Sequence, residues 1–482
     1  AKTMLDDVDR NRERLERAWP LPEGAPFRSD AWERAKRELL GGLRDGGFLR
    51  ARIEDSEAIV NREDARAQLR VDVESGSRLR FGGIEVGGLQ RYPASVVEGL
   101  APFRIEEPYD ANRVLRFQTL LNGAGWFSSA NVRPDMNAID RDPSLGEVPI
   151  RVDVVERQAK RWVLGGGYDT ERGFSVLANW EHRNAFGAGV QTFDGVELDL
   201  ERQVAWSTWD TPQDLSGWRW QFGGRAEHRD VQNDLVDAAS MFVSRNQRRG
   251  DIETALSLQA QAERQNVVFG PGDERLFENS ALVLGYSWTQ RRLDSPIFPT
   301  EGYVVTGQLS GASDALGSAT SFLRAYALAY GIVPLERADG EPIGRVVLRG
   351  ELGRVRSSRR EGIPSANLFR TGGAPTGRGY ASQGRGDPLG EAIVGGRALF
   401  VASAEYQHLL SRDVALAAFY DYGNAADTWD DLKPVAGYGV GVRWRTPVGP
   451  LNLDVAWGEA VRDWPGAFLR GGGFAGLRRP RP

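Results

Sequence analysis

The chain has 482 residues, with 66 Asp and Glu against 61 Lys and Arg for a formal net charge of -5, and it contains 58 Gly, 14 Trp and no Cys. That length calls for roughly three units of ~150 residues, the lack of cysteine excludes disulfide scaffolds, thiol nucleophiles and thiolate metal sites, and the charge balance offers no basic footprint for nucleic acid. No apolar run approaches the ~18 residues of a spanning helix, so a helical membrane protein is excluded; a barrel, whose strands alternate lipid-facing and lumen-facing residues, is not.

Residues 1–17 are charged and read as a remnant or linker. The chain begins at Ala1 with no charged-then-apolar leader, so any signal peptide is expected to have been removed or never to have been there, and a segment upstream is expected to be missing. Residues 18–77 read as a first α+β unit. Asp30 with Glu33 makes a capping box, Trp32, Ala35, Leu39 and Leu43 share one helical face, and Gly46-Gly47 supplies the stop. Residues 48–53 and 67–73 follow as strands.

Residues 78–157 restart the pattern. A strand at 79–86 precedes a short helix at 95–100, which Pro102 closes. Asp110 caps a longer helix with Val114, Phe117 and Leu121 on one face, ending at Gly123 and Gly125, and strands at 130–134 and 148–155 complete a β-α-α-β-β order. The same order, less clear, occupies the unit before it, which makes a repeat.

From Arg161 to 476 helical periodicity gives way to two-residue alternation. Tyr438, Val440, Val442 and Trp444 oppose Gly439, Gly441, Arg443 and Arg445; Leu451, Leu453, Val455 and Trp457 oppose Asn452 and Asp454. A soluble sandwich also alternates but seldom needs so many long strands, whereas closure removes the edges of a long meander. At roughly 20 residues per strand and connection, the region holds about 16 antiparallel strands. The first is placed near Arg161, the eighth near Asn279, the twelfth near Ile393 and the last near Phe468. Residues 477–482 form a basic, proline-rich tail that cannot extend a ladder.

Between the eleventh and twelfth expected strands lies a glycine-rich loop, 368–380, too long for a hairpin and therefore a candidate functional element. Its Gly377, Arg378, Gly379 and Tyr380 resemble the loop-six motif of the BamA superfamily, Val/Ile-Arg-Gly-Phe/Tyr, with Gly377 in the aliphatic position. Phe419-Tyr420-Asp421 resembles the family's Phe-x-Asp motif on the thirteenth strand, where Phe419 and Asp421 share the inward face. Gly395-Gly396-Arg397 with Ser403-Ala404-Glu405-Tyr406, the turn 447–450 with Asp454, and residues 294–302 resemble further family motifs. Gly82-Gly83-Ile84 and 123–127 make the preceding unit similar to a POTRA (polypeptide-transport-associated) domain. Residues 100–103, 107–109 and 122–127 are similar to the last such domain of the TamA-like subgroup, the outer-membrane subunit of the translocation and assembly module.

The resemblance implies an all-β transmembrane barrel preceded by α+β POTRA domains, in the outer membrane of a Gram-negative bacterium with the POTRA domains in the periplasm. It implies an insertase or translocase that assists assembly of autotransporters and other barrel proteins, receives them as extended strands, and works with a TamB-like periplasmic protein anchored in the inner membrane. Arg378 would bond Asp421 inside the lumen. Three POTRA domains are typical of the subgroup, and the sequence supplies two.

Gly165, Gly166 and Gly167 on the first strand and Gly471, Gly472 and Gly473 on the last weaken pairing where the barrel must close, since glycine brings no cross-strand packing and costs backbone entropy. They are the candidate lateral gate; the alternative is that they only allow curvature. No enzymatic site is expected. His182, His228 and His408 lie far apart without zinc spacing, and neither a Gly-x-Ser-x-Gly elbow nor a phosphate loop is present, so no cofactor or metal is expected. Arg385-Gly386-Asp387 reads as coincidence. Two other functions stand beside the first: a two-partner secretion pore that exports a protein through its lumen, and a passive porin, which the periplasmic domains and the long loop disfavour.

Overall fold

A computed structural model describes residues 19–471, except 62, 65, 143, 145, 170–172, 215, 296–297, 375, 447–448 and 460–465. The expected remnant 1–17, Gly472, Gly473 and the tail 477–482 lie outside the described residues. The chain divides into two units, Ala1–Arg157 and Gln158–Pro482.

In the first unit, α1 (Ser29–Asp45) buries Trp32, Ala35 and Leu43. Its N-cap is Arg28, with no side-chain cap bond, so the capping box expected at Asp30 does not form. Ser29 is already helical, which places Asp30 in the first turn, where a carboxylate complements the helix dipole. The strand expected at 48–53 is also corrected. Phe48 and Ala51 close turns onto Leu43 and Phe48 and pack with Leu43, Leu40 and Val73, so burial against the helix end holds this segment as a cap. The ladder begins only at β1 (Arg52–Asn61), which pairs with β2 (Arg66–Glu74).

Next come β3 (Arg80–Gly87), α2 (Ser95–Glu98), α3 (Ala111–Gly123), β4 (Phe127–Pro134), α4 (Met136–Arg141) and β5 (Glu147–Glu156). The sheet order is β3-β5-β4, with β5 parallel to β3 and antiparallel to β4. Asp110 caps α3 by accepting from the Asn112 N–H at 2.8 Å. Phe81, Phe117 and Leu121 are fully buried, and Phe81 stacks on Phe103 with ring centroids 3.9 Å apart.

The second unit is a closed barrel. Its wall strands are β6 (Lys160–Asp169), β7 (Gly173–Ala185), β8 (Val190–Leu198), β9 (Arg202–Asp210), β10 (Trp218–Val231), β11 (Asp234–Arg249), β12 (Ile252–Gly270), β13 (Asp273–Leu293), β14 (Gly302–Ala312), β15 (Phe322–Glu336) and β16 (Pro342–Arg356). After a long connection holding the small hairpin of β17 (Asp387–Leu389) and β18 (Ala392–Val394), the wall resumes with β19 (Ala398–Leu409), β20 (Val414–Ala426), β21 (Val435–Thr446), β22 (Gly449–Gly458) and β23 (Gly466–Gly471). Among the described residues this is a sixteen-strand antiparallel wall.

Two expected strand starts shift. Ile393 lies in the loop hairpin, and the wall restarts at Ala398; β13 begins at Asp273 rather than near Asn279. At 21 residues β13 is about twice the ~9–11 that cross a bilayer, so its first turns carry polar side chains on both faces and the alternation is invisible there. Elsewhere alternation sets the wall: Tyr438, Val440, Val442 and Trp444 are exposed on the outer face while Arg443 is buried in the lumen.

Candidate functional site

The connection between β16 and β19 folds into the lumen. Phe369 enters an apolar cluster with Ile363, Leu399 and Val401. It packs so tightly on Gly353 that a Cβ there would lie 2.5 Å from the ring. On one side of the barrel the loop binds β12: the Ser365 N–H donates to Glu263, at 2.9 Å to Oε2, and Asn367 Nδ2 donates to Gln261 Oε1 at 2.7 Å. Arg370 pairs with Asp234, the fully buried first residue of β11.

On the far side, the tip lies flat on β21 and β22. A Cβ at Gly437 would sit 1.9 Å from the Arg378 carbonyl oxygen, and one at Gly458 would sit 2.5 Å from that of Gly379. Gly379 has φ +92, a left-handed conformation that side chains rarely adopt. The Tyr380 hydroxyl donates to the Ala436 carbonyl at 2.7 Å. The Gly377 N–H closes a turn on the Gly373 carbonyl at 3.0 Å, and Gly377 abuts Gly372 so closely that a Cβ would lie 3.4 Å from its Cα.

Arg378 and Asp421, singled out in the sequence, come together in the lumen. Arg378 donates from Nε to Oδ2 and from Nη2 to Oδ1 of Asp421, each at 2.8 Å, and its backbone N–H reaches Oδ2 at 3.0 Å. The Phe419 ring lies under the guanidinium, 3.4 Å from centroid to Cζ, a cation–π contact. Ser403 Oγ donates to Asp421 Oδ1 at 2.6 Å.

Three further residues complete the cluster, and the sequence reading did not assign them to the site. Glu405 accepts from Arg378 Nη1 at 2.5 Å and, on both oxygens, from Arg443 Nε and Nη2 at 2.8 and 2.7 Å. Arg443 Nη1 also donates to Asp454 Oδ1 at 2.6 Å. Two arginines and three carboxylates thus interlock across β19–β22, all buried, with every charge hydrogen-bonded. The available signal was inward-facing charge at matching heights on successive strands.

The barrel closes where β23 meets β6. Among the described residues, which end at Gly471, Arg470 lies opposite Asp169. Gly165, Gly166 and Gly167 face Leu177, Val176 and Ser175 on β7, and Gly471 faces Leu451 on β22. Gly472 and Gly473 lie outside the described residues, so what the two glycine runs face across the seam lies outside them too.

Residues 166–463 match the profile of the Omp85 superfamily domain. The chain belongs to the Omp85 superfamily. The outer membrane assembly factor BamA of Neorickettsia risticii (strain Illinois) is 22% identical over 463 residues, 90% of this chain and 60% of that protein, so the chain spans about three-fifths of that relative's length. The crystal structure of Haemophilus ducreyi BamA lacking POTRA domains 1–3 superposes with a TM-score of 0.75 at 16% identity, covering 95% of this chain and 96% of that one. CdiB from Acinetobacter baumannii gives 0.54 at 12% identity, covering 97% and 86%. Both structural likenesses concern fold. This Omp85 barrel resides in the Gram-negative outer membrane, with POTRA domains in the periplasm.

Proposed function

We propose that this Omp85 protein is an outer-membrane insertase or translocase that assembles autotransporters and other barrel proteins by admitting their strands at the β6–β23 seam. The joint itself carries the reading: closure brings β23 onto β6, with Arg470 opposite Asp169, and β6 carries Gly165, Gly166 and Gly167. Each ladder hydrogen bond nets about 0.5–1.5 kcal/mol, and a joint whose strand offers glycines adds no cross-strand packing to it, so the wall parts there at low cost. A parted seam exposes two strand edges, which recruit an extended chain by strand addition. The glycines of β6 favour this, since they offer no side chains to hold a neighbour.

The interlocked cluster supports a sideways route rather than export through the lumen. The loop crosses from β11 and β12 to β20–β22, and its buried charges hold it across the channel. Among Omp85 proteins the TamA-like subgroup fits best, on the residue matches at 100–103, 107–109 and 122–127. A TamB-like periplasmic protein is then the expected partner.

A disulfide between cysteines at Asp169 and Arg470 tests the gate. Assembly of a client barrel should stop in oxidising medium and return on reduction. Unchanged assembly with the seam shut would sink the proposal. Co-purification of a long periplasmic partner from envelopes tests the subgroup.

A further inference from the structure

Below the interlocked cluster, at the end of the barrel where β6 begins, the lumen forms a cavity of about 300 Å³. The loop tip roofs it at Ala374 and Arg378, and the β13–β14 and β19–β20 turns form its mouth. This is the periplasmic end, because the chain enters the wall there from the POTRA region.

The pairing of charges around this cavity is uneven. Arg349, Arg378 and Arg443 are neutralised by Glu351, Asp421, Glu405 and Asp454. Arg345, Arg412 and Arg445 line the same space, and no carboxylate among the described residues pairs with them. Asp413, exposed on the turn, is the one lining acid outside the network, and it contributes its backbone carbonyl to the Arg445 N–H at 2.8 Å. Arg345 is held in place: Nε donates to Gln407 Oε1 and Nη1 to the Pro299 carbonyl at 2.9 Å. Its Nη2 has no acceptor among the described residues.

We infer that this vestibule binds a carboxylate-bearing peptide segment entering from the periplasm. Half-buried guanidiniums facing one another across a cavity repel, and an anion between them removes that cost while gaining charge-assisted hydrogen bonds. The fixed planar fork of Arg345 suits a carboxylate. The cavity opens to the periplasm rather than to the lipid, and its volume is at the small end for binding sites, which favours a side chain on an extended peptide over a lipid headgroup or a folded domain.

The test uses the full chain in nanodiscs, titrated calorimetrically with a short glutamate-rich peptide, its glutamine counterpart, and inorganic phosphate. The glutamate peptide should bind saturably and the glutamine peptide should not. Arg345→Gln and Arg445→Gln should each weaken binding roughly tenfold or more. Arg412→Gln, on the exposed turn, should weaken it too and keeps the site testable if either lumenal variant fails to fold. Phosphate that displaces the peptide supports the shared guanidinium site. Phosphate binding without peptide binding, or peptide binding unchanged in the variants, would overturn it. The inference does not depend on the seam: a chain cross-linked at 169 and 470 should bind the peptide equally well.

Discussion

Arg443 on β21 reaches over β20 to make a two-pronged ion pair with Glu405 on β19, at 2.8 and 2.7 Å. The same Glu405 receives Arg378 from the loop tip, so wall and loop share one carboxylate. A charge held by two guanidiniums in a dry site is costly to leave alone. Removing one partner of a buried pair costs about 3–5 kcal/mol, while replacing a set together with apolar groups of similar volume is often neutral.

Arg378→Ala should therefore lower the unfolding midpoint of the barrel and release the loop tip, with a loss of about 3–5 kcal/mol. Arg378→Lys should recover only part of it, because an ammonium cannot make both bonds to Asp421. Heat-modifiable gel mobility and urea unfolding in micelles read both effects. A variant as stable as the parent would show that this pair is solvated.

Effects within the cluster should be strongly non-additive. Asp421→Asn and Arg378→Gln together should cost less than the sum of the two, because each alone strands the other's charge. A double-mutant cycle by chemical denaturation measures the coupling, and an additive result would contradict the shared burial.

Gly437→Ala should displace the loop tip while leaving the wall closed, since the new Cβ would meet the Arg378 carbonyl oxygen at 1.9 Å. In planar bilayers the expected result is larger or longer-lived channel openings than in the parent, with unchanged far-UV circular dichroism. Gly307→Ala, where a Cβ meets nothing within 4 Å, is the matched control.

Asp294, in the β13–β14 turn, carries a pH dependence. The Thr300 hydroxyl donates to its Oδ2 at 2.5 Å and the Thr300 N–H to its Oδ1 at 2.8 Å. With the Glu301 and Ser295 N–H groups, these hold the carboxyl at about 2 against an ordinary 3.8. A depressed carboxylate stabilises the fold above its unfolded value, so this contribution is complete above about pH 4 and disappears as pH falls toward 2. Limited proteolysis of the turn should rise across that window in the parent, and Asp294→Asn should flatten the response.

How much was legible in advance follows from the range of each interaction. Inside the bilayer, one face of every strand must be apolar, so the two-residue period exposes the wall directly, as in 438–445 and 451–457. Outside it that constraint lapses, so neither the start of β13 at Asp273 nor the hairpin at Ile393 shows in the two-residue period. The segment at 48–53 reads as a strand by composition, but burial against the end of α1 holds it as a turn.

By itself the amino-acid sequence determined the sixteen-strand barrel and, in the unit before it, every element but the short helix Met136–Arg141 between the last two strands, because pleat and helix periodicity are local properties of the chain; the meeting of Arg378 with Asp421 came from the resemblance of their motifs to the family's. Only the tertiary structure decided that Glu405, Arg443 and Asp454 join that pair, that the loop tip lies on β21 and β22, and that Arg345, Arg412 and Arg445 share one cavity without a carboxylate partner among the described residues. Those outcomes depend on register and on which strands closure brings together, and neither is written in any local stretch of residues.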